Sequence, residues 1–179
     1  MSETSSAKAA AHAAAPAFVL DRRESGDGAH TFTMAGAMGG ATMIGLGLAL
    51  ARRDKRVLVA TGDGELLMNL GTLATIAVLN PANLSIVVVD NGHYGETGYQ
   101  KSHTSLGVDL EKIAVGSGIK RTRTIDSEAG IAEGTRMLRE GNGTAFVVLR
   151  VNEAEPPAFK RDLNPASCRT RFRVANLDR

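Results

Sequence analysis

The chain has 179 residues and a mass of 18.8 kDa, which fits one ordinary domain and leaves little room for two. Hydrophobic residues make up 43% and aromatic residues only 4%, so the chain can bury a core but lacks the aromatic platforms that bind single-stranded nucleic acid. The one cysteine, Cys168, excludes an intramolecular disulfide and a cysteine-clustered metal centre, and it favours a reduced, cytoplasmic setting. A net charge of +2 does not by itself indicate that the chain binds a polyanion.

Composition and charge divide the chain into three parts. Residues 1–20 are an alanine-rich leader that we expect to be disordered or loosely ordered, because it lacks the basic start and long apolar stretch of a secretory signal. Residues 21–155 form the predicted domain. Residues 156–179 form a basic tail, since positions 160–179 carry six Lys or Arg against two Asp.

An uncharged segment, residues 31–51, opens the predicted domain. Its twenty-one positions are enough to span a bilayer. Five glycines and the absence of a centre dense in Leu, Ile and Val instead favour a glycine-rich turn followed by a buried helix. We therefore expect no membrane span here.

From residue 56 onward, strand-like and helix-like segments alternate. Short apolar runs rich in Val predict strands at 56–61, 84–89 and 144–151, and residues 121–125 form a less pronounced strand pattern. Helical spacing of apolar residues predicts helices at 66–79, at 109–115 with Asp109 as N-cap, and at 127–139 with Ser127 as cap. A polar loop occupies 91–107. This alternation predicts an α/β fold: a single three-layer domain in which a parallel sheet carries helices on both faces.

Polar residues follow two of these strands, as Gly62-Asp63-Gly64-Glu65 and as Asp90-Asn91-Gly92. Ligands of open parallel sheets bind at the carboxyl ends of the strands, so the Asp63 carboxylate and the Asn91 amide oxygen are expected to face one cavity. These oxygens suit Mg²⁺ that also binds phosphate oxygens. Either motif alone is also a common turn, but their joint occurrence favours a Mg²⁺–diphosphate site.

Twenty-six residues separate Gly64 from Asn91, and this spacing resembles the fingerprint of enzymes that use thiamine diphosphate (ThDP). Upstream, Gly36-Ala37-Met38-Gly39 resembles the turn that cradles the pyrimidine of ThDP. Residues 34–151 are similar to the diphosphate-binding half of ThDP-dependent 2-oxo acid decarboxylases. Within them, 57–77 and 87–98 most resemble the β subunit of sulfopyruvate decarboxylases and the C-terminal half of phosphonopyruvate decarboxylases.

The resemblance implies a role for each matching residue. The side chains of Asp63 and Asn91 and the backbone carbonyl of His93 would coordinate Mg²⁺. The backbone amides of Gly64 and Glu65, in the turn that Gly62 opens, would contact the diphosphate.

The remaining implied roles concern the pyrimidine and the substrate. The carbonyl of Gly36 would accept a hydrogen bond from the 4′-amino group of ThDP, and Met38 would support the bent coenzyme. Glu96 and His103 lie in the loop where these enzymes place polar groups near the substrate, so they are the candidate catalytic residues. As alternatives, Met38 is a helix-packing residue and the other two are solvated loop residues.

The chain departs from the family pattern at two places. It has Asp90-Asn91 where many relatives have two asparagines, and its loop reads Gly-Tyr-Gln-Lys-Ser-His-Thr over 98–104. The second departure leaves the identity of the 2-oxo acid open. Lys101 and His103 are candidates for binding a second anionic group of the substrate, and so is the tail if its arginines at 169, 171 and 173 line one face of an extended strand.

The resemblance also implies an incomplete active site. In this family a glutamate from a pyrimidine-binding domain activates the coenzyme, and no segment here is long enough to form that domain. We therefore expect a partner α subunit that supplies the glutamate, in a hetero-oligomer that decarboxylates an anionic 2-oxo acid and releases CO2 and an aldehyde. The alternatives are a subunit of an acetolactate synthase-like carboligase and a non-catalytic nucleotide-binding module. Neither nucleic acid nor membrane is an expected partner.

Overall fold

The computed structural model describes residues 17–19, 28–34, 37–152 and 164–177. The strands are β1 (Ala17–Val19), β2 (Thr31–Thr33), β3 (Val57–Gly62), β4 (Leu84–Asp90), β5 (His93–Tyr94), β6 (Gln100–Lys101), β7 (Arg121–Ile125) and β8 (Ala145–Arg150). The α-helices are α1 (Ala41–Ala51), α2 (Asp63–Leu67), α3 (Thr72–Leu79), α4 (Leu110–Gly116), α5 (Ile131–Arg139) and α6 (Pro165–Leu177).

Within these residues the main sheet has the order β2-β1-β3-β4-β8-β7. Strands β3, β4, β8 and β7 are parallel, as the alternation of the sequence predicts. Strand β1 runs antiparallel to both β2 and β3 and extends the sheet at its edge. The pairing of Gly62 with Val89 aligns the carboxyl ends of β3 and β4.

Helices cover both faces of the parallel strands, which confirms the predicted three-layer α/β fold. On one face of the sheet, the side chains of Val59, Ile86 and Phe146 are completely buried. They belong to the main core together with residues of α1, α3 and α4. The opposite face packs on α5, where the Ser85 hydroxyl donates to the Leu138 carbonyl at 2.7 Å. Helix α5 approaches closely because Gly134 leaves room for the side chain of Ile125.

The predicted helix over 66–79 is wrong in one respect, because the structure divides it into α2 and α3. The break at 68–71 contains Gly71, a poor helix former. It also serves packing: the Asn69 side chain donates to the Gly39 carbonyl at 3.0 Å, and the Thr72 hydroxyl donates to the Asn69 carbonyl at 2.9 Å. The break therefore fastens the glycine-rich turn before α1 to the region after β3.

Of the two predicted helix caps, one is confirmed and one is wrong. Asp109 caps α4 by accepting the backbone N–H of Lys112 at 3.0 Å. Ser127 makes no side-chain capping bond, because a 3-10 turn at Glu128–Gly130 comes between it and α5. The loop 91–107 also holds more structure than expected, since β5 and β6 pair as a hairpin and a 3-10 turn follows at His103–Leu106.

The uncharged segment forms β2, a turn and α1, but the expected burial of the helix is only half correct. Ala41, Leu46 and Ala49 are buried, whereas Met43, Ile44 and Leu50 on the outer side are exposed. Across the described ranges, no helix has both the length and the apolar character needed to cross a membrane.

The extended arrangement considered for the tail is wrong, because its last part forms α6. Residues two positions apart lie on nearly opposite sides of an α-helix, so Arg171 does not share a face with Arg169 and Arg173. Helix α6 instead packs on β2, where Phe172 meets Phe32 edge-on at 5.5 Å between ring centroids and Cys168 is buried. Asn176 adds a 3.0 Å hydrogen bond to His30. Of the alanine-rich leader predicted over residues 1–20, residues 1–16 and 20 lie outside the described residues, whereas Ala17–Val19 form β1 of the main sheet.

Asn83 provides a test of how this fold is held together. Its side-chain amide donates to the carbonyls of Ala49, Arg52 and Lys55 at 2.8–3.0 Å, fixing the end of α1 against the start of β4. We expect Asn83→Ala to lower the free energy of unfolding by about 1–3 kcal/mol, because it leaves these carbonyls without their donor. Asn83→Asp should cost more, since it turns a carboxylate toward carbonyl oxygens.

Denaturant unfolding of the full chain measures both effects. Asn142→Ala, at an exposed turn position, is the matched control and should leave the unfolding midpoint unchanged. Equal midpoints for Asn83→Ala and Asn142→Ala would contradict the assigned role.

Candidate active site

The parallel pairing of β3 and β4 brings two carboxylates together at the carboxyl edge of the sheet. Asp63 is the first residue of α2 and follows β3 directly, and Asp90 is the last residue of β4. Asp63 is 1% exposed and Asp90 is 8% exposed. The sequence predicted the position of Asp63 but attributed no role to Asp90.

Two hydroxyl groups connect these carboxylates. Ser102 donates to Oδ2 of Asp63, and Thr104 Oγ1 lies 3.1 Å from the same oxygen and 2.7 Å from Oδ1 of Asp90. The two hydroxyls are also 2.9 Å apart. Sequence reasoning missed Ser102 and Thr104; the only available signal is a Ser-x-Thr pattern that follows β6.

Burial raises the pKa of the Asp63 carboxyl, and the nearby charge of Asp90 raises it further. Hydrogen bonds from the hydroxyls of Ser102 and Thr104 and from the backbone of Gly64 oppose this increase. The raised pKa therefore shows that neutral donors only partly offset the cost of holding an ionised carboxylate here. A cation would offset that cost.

Glu65 has a side-chain role in addition to the backbone contact that the resemblance implies. It is 5% exposed, and its Oε1 accepts the backbone N–H groups of Gly39 and Ala41 at 2.9 and 3.0 Å. Its Oε2 accepts the hydroxyl of Thr61 at 2.5 Å. Glu65 therefore fixes the turn before α1 to the end of β3, and this turn includes the candidate coenzyme residue Met38.

The two remaining candidate metal ligands share one turn after β4. Oδ1 of Asn91 accepts the backbone N–H of His93 at 3.0 Å, and the His93 ring nitrogen Nδ1 lies 2.9 Å from the Asn91 carbonyl. The His93 ring also stacks on Tyr99, with centroids 4.7 Å apart. An amide oxygen has two lone pairs, so the contact with the His93 amide leaves Asn91 able to bind a cation.

Gly64 is required by close packing. A Cβ atom at this position would lie 2.5 Å from Cε1 of Tyr94, which no real side chain tolerates. The tyrosine ring of β5 therefore lies against the start of α2, and it holds the hairpin on the same side of the sheet as Asp63.

The other candidate residues that the structure describes are exposed. Met38 is 46% exposed. Glu96 lies in the exposed turn of the β5–β6 hairpin, and His103 begins the 3-10 turn and is exposed. Gly36 lies outside the described residues. The catalytic roles of Glu96 and His103 and the contact of Gly36 stay predictions.

The type of metal site is limited by the available side chains. Within the described ranges, no three His, Cys, Asp or Glu residues are grouped so that they could hold a metal ion. A transition-metal centre built from such residues is therefore not found in this part of the chain. A Mg²⁺ site needs only one or two carboxylates, and neutral oxygens and ligand phosphate complete it.

The raised pKa of Asp63 predicts how stability depends on pH without divalent metal. The folded chain holds the Asp63 proton to a higher pH than the unfolded chain. The stabilising contribution is therefore complete below the unfolded pKa of about 3.9 and is lost as the pH rises through the folded value. Asp63→Asn cannot ionise, so at about pH 7 it should be more stable than the parent chain, and near pH 3 the difference should shrink or reverse.

Urea unfolding in the presence of a chelator, repeated across this pH range, measures the difference. Asp109→Asn is the control of opposite sign, because hydrogen bonds from Lys112 lower the pKa of Asp109. That variant should be the less stable one near neutral pH. A destabilised Asp63→Asn under the same conditions would contradict the assignment.

Comparison with known proteins places this arrangement in a family. The family model described as the C-terminal TPP binding domain of thiamine pyrophosphate enzymes matches residues 10–149. The chain is 47% identical over 114 residues to the sulfopyruvate decarboxylase subunit beta of Methanocaldococcus jannaschii, covering 64% of this chain. It is 35% identical over 158 residues to the phosphonopyruvate decarboxylase of Streptomyces viridochromogenes, covering 88% of this chain.

These matches cover only part of each relative. The chain spans 60% of the length of the first relative and 38% of the second. A solved structure from Mycobacterium smegmatis, described as a thiamin diphosphate-dependent enzyme, superposes with a TM-score of 0.54 at 28% identity over 67% of this chain and 23% of that chain. The family match, which extends from the N-terminal region through β3, β4 and most of β8, shows that this chain belongs to the thiamine pyrophosphate enzymes as their C-terminal TPP-binding domain.

Proposed function

We propose that this chain is the diphosphate-binding β subunit of a ThDP- and Mg²⁺-dependent decarboxylase that acts on an anionic 2-oxo acid such as sulfopyruvate or phosphonopyruvate. The observation that carries the proposal is the buried Asp63 carboxylate at the end of β3, beside the turn that follows β4. The names of the two relatives support the substrate class. Family membership argues against the nucleotide-binding module.

The residues present fit Mg²⁺. Asp63 is almost completely buried, its pKa is raised, and its side-chain hydrogen-bond partners within the described residues are hydroxyl groups. A divalent cation bound by Asp63, by the Asn91 amide oxygen and by the His93 carbonyl would neutralise this charge and bind the diphosphate of ThDP. Asp63 and Asn91 would thus orient the coenzyme through the metal.

ThDP, when bound, supplies the electron sink that stabilises the carbanion left by departing CO2. The chain's own contribution is to hold the coenzyme in place and to exclude water from its diphosphate end. The backbone amides of Gly64 and Glu65 would contact the diphosphate, and the Glu65 carboxylate would hold the turn that carries Met38 through Gly39 and Ala41.

A partner subunit would supply the activating glutamate, because the described ranges hold no buried glutamate whose carboxylate is unoccupied. In the described ranges, Glu65 is the buried glutamate, and both of its oxygens are already occupied by Gly39, Ala41 and Thr61. The glutamate that activates the pyrimidine would therefore come from an α subunit in a cytoplasmic hetero-oligomer. The exposed apolar side of α1, with Met43, Ile44 and Leu50, is our candidate for part of the subunit contact.

Coenzyme binding tests the metal assignment. We expect Asp63→Ala to weaken Mg²⁺-dependent ThDP binding by about 100-fold or more, because it removes the anionic ligand. Asn91→Ala removes a neutral ligand and should weaken binding by about tenfold. Calorimetric titration of ThDP into the complete assembly, with and without Mg²⁺, measures both, and unchanged affinity in Asp63→Ala would refute the assignment.

Substrate preference tests the proposed reaction. Lys101 and His103 are exposed and flank Ser102, which hydrogen-bonds to Asp63. This position supports the proposal that they contact a second anionic group of the substrate. With the partner subunit present, kcat/KM should be at least about tenfold higher for sulfopyruvate or phosphonopyruvate than for pyruvate or benzoylformate. Lys101→Ala should lower kcat/KM for the preferred substrate by a similar factor, whereas Lys112→Ala on α4 should not.

The chain without its partner is the second control and should be inactive. Product analysis distinguishes the two reactions, because a decarboxylase releases an aldehyde and a carboligase releases a hydroxyketone. A preference for pyruvate would refute the dianionic substrate, and a hydroxyketone product would favour the carboligase.

A further inference from the structure

Ser102 lies where three segments of the candidate site meet. It is completely buried, and its backbone N–H donates to the Gly92 carbonyl at 2.7 Å. Its hydroxyl donates to Asp63, and its own carbonyl accepts the hydroxyl of Ser105 at 2.9 Å. Ser102 therefore ties the end of β6 to α2 and to the turn after β4.

Thr104 connects the same segments through its side chain. Its Oγ1 is within hydrogen-bonding distance of both carboxylates, Asp63 and Asp90. Asp90 in turn accepts the backbone N–H of Gly92 at 3.1 Å. A chain of contacts thus runs from Asp63 through Thr104 and Asp90 to the turn that holds Asn91 and His93.

The two carboxylate oxygens of Asp63 have different side-chain contacts. Both hydroxyls approach Oδ2, and no side chain of the described residues hydrogen-bonds to Oδ1. Each hydroxyl has one proton, so Ser102 is the donor to Asp63 when Thr104 donates to Asp90. Oδ2 is therefore fixed in position by side chains, and no side-chain hydrogen bond of the described residues competes with a cation for Oδ1; the backbone of Gly64 also hydrogen-bonds to this carboxyl group.

We propose that Ser102 and Thr104 are positioning residues for the metal site, and that they set the distance between Asp63 and the turn carrying Asn91 and His93. This inference rests on the proposed function, since it concerns the same Mg²⁺ ligands. Metal ligands must be held within about 0.5 Å of their working positions, and a polar loop does not do this alone. Residues that orient ligands typically change metal affinity by about 10- to 100-fold when they are replaced.

The experiment measures the Mg²⁺ concentration that gives half-maximal ThDP binding to the full chain with its partner subunit. Ser102→Ala and Thr104→Val should each raise this concentration by about 10- to 100-fold. Thr104→Ser keeps the hydroxyl and should remain within about threefold of the parent chain. Thr97→Val is the matched control, because the Thr97 hydroxyl bonds to Gln100 in an exposed turn of the same loop.

A second measurement separates positioning from a merely structural role. The thermal unfolding midpoint of each variant with a chelator present should stay close to that of the parent chain, while the Mg²⁺ requirement changes. If the Mg²⁺ requirement rises only in variants whose metal-free midpoint falls, and Thr104→Ser does not restore it, the positioning role is refuted.

Asp63→Ala in the same assay distinguishes the two hypotheses. If Asp63→Ala loses Mg²⁺-dependent binding but Ser102→Ala and Thr104→Val behave like Thr97→Val, the positioning role is refuted and the proposed function stands. If the parent chain binds ThDP equally well without Mg²⁺, both are refuted.

Discussion

The candidate site depends on one consequence of parallel strand pairing: β3 and β4 end side by side, and one aspartate directly follows β3 while another is the last residue of β4. Because Gly62 pairs with Val89, the next residues, Asp63 and Asp90, occupy neighbouring positions, and both are buried. Burial is the main cause of the raised pKa of Asp63, and the nearby charge of Asp90 raises it further. Keeping both carboxylates ionised at this edge of the sheet therefore costs free energy, and a bound divalent cation would lower that cost.

Glu65 is a carboxylate at the same edge of the sheet whose two oxygens both accept hydrogen bonds. Its two oxygens accept two backbone N–H groups and one hydroxyl, and it joins the turn before α1 to the end of β3. Asp63, two residues earlier, has side-chain contacts on Oδ2 only. The two carboxylates therefore differ in role although they are close in sequence. Glu65 stabilises the scaffold, and Asp63 stays available for a ligand.

The sequence predicted the parallel strands and the position of Asp63, because both depend on local patterns: apolar runs rich in Val, and turn residues that follow them. Contacts between distant segments leave no such pattern. Ser102 and Thr104 reach Asp63 from 39 and 41 residues away, and the break between α2 and α3 becomes understandable only once Asn69 is seen bonded to Gly39. Helix α6 was missed because arginines at alternate positions have the period of a strand rather than of a helix, and its docking depends on contacts with distant residues such as Phe32.

The loop after β4 combines a fixed base with an exposed tip. Its base is held by the Ser102–Gly92 backbone bond, by the hydroxyl contacts with Asp63 and by the Tyr94 ring on Gly64. Its tip, which includes Glu96, and the side chains of Lys101 and His103 are exposed. Under the proposed function, substitutions among the exposed residues would change the preferred 2-oxo acid and leave the buried contacts around the metal ligands intact. The departures from the family pattern at 98–104 fall mostly in this exposed part, whereas Ser102 and Thr104 within it face the carboxylates. This distribution explains why the sequence indicates the coenzyme more clearly than the substrate.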